Sequence, residues 1–84
     1  MTYGEQLDRA LATQLKVELA DRGMEQKELA DQVGINRVTM SHYMTCKRSM
    51  PMPTFVKVAE LFGLTPSTLM ARAEARIQPT EQTA

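Results

Sequence analysis

Residues Gln26–Leu64 read QKELADQVGINRVTMSHYMTCKRSMPMPTFVKVAELFGL, and this stretch decides the fold. Leu29, Ala30 and Val33 recur at helical spacing, which places a short amphipathic helix over Gln26–Val33. Gly34 ends it and tolerates the positive φ of a tight turn. Ile35 is an apolar residue inside that turn, and Asn36 is a good N-cap for a second helix over Arg37–Thr45. Met40, Tyr43 and Met44 make the inward face of this second helix. Arg37, Val38, Ser41 and His42 are left on its outer face. A loop with two prolines, Cys46–Pro53, leads to a supporting helix over Thr54–Phe62 that stops at Gly63.

Outward from this stretch the pattern stays helical. Leu7, Leu11, Leu15 and Leu19 recur every four residues and form one apolar stripe on a long helix over Gly4–Arg22, with Gly23 as its stop. Thr65-Pro66 pairs an N-cap with proline at the first helical position and starts a fifth helix that runs to about Ile77. There is no period-2 pattern and no internal repeat. The expectation is an all-α chain of five helices, one domain over residues 1–77, with the polar QPTEQTA (78–84) as a flexible tail.

Eighty-four residues suit one small domain. A chain of this length buries only about 60% of the surface that its unfolded form exposes. Two Tyr and two Phe are the only aromatics, so the core rests on aliphatic residues and on some of the seven Met. A lone Cys46 excludes an internal disulfide and fits a reducing cytoplasm. One His and one Cys do not furnish a structural zinc site, and no cofactor is expected. No apolar run nears the ~18 residues of a membrane helix, and the polar, acidic N-terminus does not resemble a secretory signal.

Formal net charge is zero, from ten basic and ten acidic residues. The charges are nevertheless segregated. Residues 1–31 hold Glu5, Asp8, Glu18, Asp21, Glu25, Glu28 and Asp31, whereas 32–59 hold no acid but Arg37, Lys47, Arg48, Lys57 and His42. A neutral total thus hides a basic segment, of the kind that neutralises phosphates. Catalysis is not expected. His42 and Cys46 stand four residues apart, but no orienting base and no oxyanion site accompany them.

The Gln26-x-x-Leu29-Ala30-x-x-x-Gly34-Ile35 spacing, the proline-containing loop and the close VAELFGLTPSTL together resemble the Cro and lambda-repressor (XRE) type of helix-turn-helix, over roughly Leu15–Met70. The resemblance implies a sequence-specific regulator of transcription, a repressor of phage Cro or immunity type. It would bind an inverted-repeat operator as a homodimer through the major groove of double-stranded DNA, in the cytoplasm of a bacterium or of a phage-infected host. It implies base contacts from Arg37, Val38, Thr39, Ser41 and His42. It implies backbone contacts from Gln26, Lys27, Thr45, Lys47, Arg48 and Ser49. The chemistry suits these roles: a guanidinium donates twice to guanine O6 and N7, and Val38 packs on a thymine methyl. Bland alternatives stand beside them, with Arg37 and His42 as merely solvated polar residues and Val38 as partly core.

Met70, Ala73 and Ile77 form a stripe on the fifth helix that is a candidate dimer interface. Tyr3, Leu7 and Ala10 are another candidate, and the two sets could instead pack on each other within one subunit. Two other functions stay open, an antitoxin with a toxin partner and a helix-turn-helix used only for protein contact. Three residues depart from the family pattern. Glu25 stands where Ser or Thr is usual. Leu19 and Met44 stand where an Arg–Glu ion pair is common. Cys46 replaces a usual Gly, so the loop after the second helix of the motif is expected to follow a different path.

Overall fold

Thr2 opens the first helix, α1 (Tyr3–Arg22), with a reciprocal cap. Its hydroxyl accepts from the Glu5 N–H at 3.1 Å, and the Glu5 carboxylate accepts from the Thr2 N–H at 2.9 Å. The computed structural model describes residues 2–77. The segment 78–84, expected to be a tail, lies outside them. Four further helices follow: α2 (Gln26–Val33), α3 (Arg37–Met44), α4 (Met52–Leu61) and α5 (Pro66–Glu74). All the regular structure among the described residues is helical, as the periodicity requires.

Two boundaries differ from the sequence expectation by more than one residue, for local reasons. Helix α4 begins two residues early, after Pro51 as N-cap, and takes Pro53 into its first turn. Proline is tolerated there because the first N–H groups of a helix have no intrahelical partner. Helix α5 ends three residues before Ile77. There the Arg76 and Ile77 N–H groups bond three residues back, to Ala73 and Glu74, so the chain tightens out of the α-helix.

The core is one cluster to which every helix contributes. Leu29, Ala30, Met40, Val58, Ala59 and Leu69 are sealed from solvent. Of the α1 stripe, Leu15 and Leu19 are buried, Leu11 packs against the cluster from its edge, and Leu7 is half-buried. Leu19 and Met44, which stand where the family often has an ion pair, both lie in this apolar cluster. Ile35 packs against it from the turn of the motif.

Helix α1 lies against α5 and α3, while α2 lies against α3 and α4. The α1–α5 contact covers part of each apolar stripe. Ala10 and Ala73 are both buried, and the Tyr3 hydroxyl donates to Glu74 at 2.6 Å. At Ala10 and Ala73 the two stripes are covered within one subunit. Ala73, with 0% exposure, therefore has no surface to offer a partner, which corrects its assignment to a dimer interface. Met70 and Ile77 stay half-buried.

A buried carboxylate that the periodicity did not reveal joins three helices. Glu18 on α1 is only 2% exposed. It accepts from Gln14 at 2.7 Å, from Arg22 at 2.6 Å and from Arg72 of α5 at 2.8 Å. Arg22 also donates to the Phe62 carbonyl at the end of α4, at 2.7 Å, and its guanidinium lies 4.5 Å from the centre of the Phe62 ring. Burial pushes the Glu18 carboxyl up, but hydrogen bonds from Arg72, Gln14 and Arg22 outweigh it and hold the group below the usual range.

Candidate nucleic-acid interface

Helix α3 is fixed at both ends by local chemistry. The Asn36 side chain accepts from the Val38 N–H at 2.7 Å and from the Thr39 N–H at 3.4 Å. Gly34, at φ 77°, makes the left-handed turn that swings the chain from α2 into this cap. Beyond Met44 the chain folds back on the helix. The His42 carbonyl accepts from the Lys47 N–H at 2.8 Å and from the Arg48 N–H at 3.3 Å. Cys46 takes φ 62°, a left-handed conformation that glycine adopts freely. The glycine-like backbone is thus kept here without the glycine.

The first turn of α3 carries the most accessible of the expected reading groups. Val38 is 62% exposed, so it is not part of the core. An apolar side chain standing in water at this position has surface to gain from a thymine methyl. Arg37 beside it is exposed, while Thr39, Ser41 and His42 are half-buried.

Arg37 is not a free cation. It grips Asp31, near the end of α2, with two bonds: Nε to Oδ1 at 3.0 Å and Nη2 to Oδ2 at 2.6 Å. Hydrogen bonding from Arg37 holds the Asp31 carboxyl below its usual range, and Asp31 in turn keeps Arg37 more firmly protonated.

The expected backbone contacts divide into two groups. Lys47 and Arg48 are exposed at the C-terminal end of α3 and have no ion-pair partner among the described residues. Gln26 is half-buried at the start of α2, and Lys27 lies 3.5 Å from the Glu25 carboxylate. The acid at the family's Ser/Thr position is thus partly offset by its neighbour. The Thr45 hydroxyl donates to the Ser41 carbonyl at 2.8 Å, and the Ser49 hydroxyl donates to Asp8 of α1 at 2.7 Å. Both donors that were expected to meet phosphates are engaged by protein acceptors at the surface.

Asp31 and Asp8 are what reading the charges along the chain missed. Both belong to the acid-rich first 31 residues, yet the fold sets them against groups of the acid-free segment. The available signal was the i, i+6 spacing of Asp31 and Arg37 across a glycine turn.

Residues 14–74 match the model of the Cro/C1-type HTH DNA-binding domain. The chain belongs to that family. Double-stranded DNA is therefore the partner of this Cro/C1-type domain. Solved structures agree on the fold. The clp gene regulator ClgR from Corynebacterium glutamicum superposes with a TM-score of 0.78 at 20% identity, covering 84% of this chain and 76% of that one. A second ClgR structure gives 0.77 at 19% identity, covering 86% and 92%. The hypothetical transcription factor NHTF from Neisseria gives 0.73 at 24% identity, covering 80% and 75%. No curated protein sequence matches the chain significantly. No helix among the described residues is long and apolar enough to cross a membrane.

Proposed function

We propose that this Cro/C1-type domain is a repressor of the phage Cro or immunity type, that it binds an inverted-repeat operator as a homodimer, and that α3 enters the major groove. The observation that carries the reading is the exposed pair Arg37–Val38 on the first turn of a doubly anchored α3. Arg37 reads a guanine, Val38 packs on a thymine methyl, and Thr39, Ser41 and His42 complete the face. Lys47 and Arg48 neutralise phosphates beside it and supply affinity without sequence information. Gln26 and Lys27 meet the backbone at the N-terminus of α2.

A two-fold dimer places two α3 helices in successive major grooves, about 34 Å apart. With Ala73 sealed against α1, Met70 and Ile77 are what α5 offers to a second subunit. Repression follows from occupancy, since a bound dimer covers promoter DNA.

Selection from a random duplex library with the purified protein tests this. The expected product is an inverted repeat with half-sites about one helical turn apart. Enrichment of a single, non-repeated half-site would refute the dimer. No enrichment from folded protein at low salt would refute base reading by α3.

A further inference from the structure

Asp31 is the carboxylate of α2 that reaches the proposed reading surface. Placing an acid there is costly for a protein that must approach phosphates. As an exposed ion pair with Arg37 it contributes little to folding. Its geometry has a more specific consequence. A guanidinium carries five N–H groups in a rigid fork. Asp31 takes the side edge, one N–H on Nε and one on Nη2, at 3.0 and 2.6 Å. Both N–H groups of Nη1 and the second of Nη2 remain. One from each nitrogen forms the end edge of the fork, two parallel donors that match the O6 and N7 acceptors of guanine.

The carboxylate also comes from a fixed base. Asp31 sits in the last turn of α2, and its carbonyl accepts from the Gly34 N–H at 3.3 Å. Gly34 is the residue whose positive φ brings α3 round to face it.

We propose that Asp31 is a specificity-determining positioning residue, which clamps the side edge of Arg37 so that the end edge is presented ready-oriented to a guanine in the major groove. This rests on the reading of Arg37 as a base-contacting residue. Without Asp31 the arginine swings among many rotamers and serves any phosphate or acceptor in reach. The carboxylate thus lowers affinity for DNA in general and raises discrimination at one base pair.

The test measures binding by fluorescence anisotropy for the wild type, Asp31→Asn and Arg37→Ala. The probes are the duplex selected by the wild type, three duplexes with the guanine position changed, and a random duplex. Both residues are exposed, so the variants fold, and circular dichroism melts confirm it. Asp31→Asn should bind the random duplex as tightly as the wild type or several-fold tighter. Its preference for guanine at that one position should fall by roughly five-fold or more, the lower end of what a bidentate base contact gives. Asp31→Glu, whose longer carboxylate can still accept both bonds, should restore part of the preference. A uniform gain in affinity with the guanine preference intact would overturn the proposal and leave Asp31 as a repulsive charge only. If Arg37→Ala keeps every base preference of the wild type, the reading of Arg37 fails instead, and the positioning role with it.

Discussion

Cys46 holds a left-handed backbone, at φ 62°, that a side chain makes unfavourable. The two hydrogen bonds that return Lys47 and Arg48 to the His42 carbonyl require the turn at this point. The left-handed backbone costs a side chain about 1–2 kcal/mol, and the entropy that glycine adds to the unfolded chain offsets about 0.4–1 kcal/mol of that. Cys46→Gly should therefore leave the turn unchanged and raise stability by up to about 1 kcal/mol. Thermal melts in reducing buffer check this, and a loss of stability would mean that the thiol itself makes a favourable contact. The same turn positions Arg48. Its side chain is exposed, so Arg48→Ala should weaken all duplexes about equally and reduce the slope of log affinity against log salt by about one. A change at one base pair only would place Arg48 in the groove rather than on the backbone.

Helix α3 has eight residues, well under the ~12–15 that hold a helix in isolation, so its cap and its packing must hold it. Asn36→Ala removes the acceptor of two N–H groups and should cost about 1 kcal/mol in urea unfolding. The freed first turn carries Arg37 and Val38, so specific binding should weaken even where the variant is fully folded; unchanged specific affinity would separate the cap from the reading face. Such local signals are why α2 and the start of α3 were legible in the sequence, marked as they are by the Leu29, Ala30, Val33 spacing, Gly34 and Asn36. The prolines of the Cys46–Pro53 loop misled because they read as loop residues, whereas a first helical turn accepts them. The pairings Asp31–Arg37 and Ser49–Asp8 could not be read along the chain, since segregation of charge in sequence is not segregation in space. Ala73 misled for a related reason. A stripe at helical spacing shows that a face is buried, not which neighbour covers it.

Across the whole molecule, beside the shared apolar core, one carboxylate ties α1 to α5 and, through Arg22, to the end of α4. Glu18 is sealed from water and receives hydrogen bonds from Gln14, Arg22 and Arg72, and Arg22 passes the connection to the Phe62 carbonyl. Nothing in the α1 periodicity marks Glu18, because an acid beside an apolar stripe usually faces solvent; only the arrival of α5 supplies its second arginine. The consequence is a pH dependence of definite sign. The folded group ionises below the usual carboxylate range, so its stabilisation is fully present above that range and is lost as the pH falls through the lower folded value. The wild type should therefore lose stability in urea progressively as the pH falls below about 5. Glu18→Gln keeps the shape of the side chain and part of its hydrogen bonding but has no proton to gain. It should be less stable at pH 7 by about 1.5–3 kcal/mol, the range for hydrogen bonds to a charged partner. Its acid limb should be flatter, so that the two proteins converge as the pH falls through the lowered value of Glu18. Asp31 also titrates low beside Arg37, but it is exposed and present in both proteins, so its small contribution cancels. Parallel stability curves for the two proteins would show that the acid sensitivity arises elsewhere. Convergence would establish that the frame behind α2 and α3 is tied together by the ionised form of Glu18.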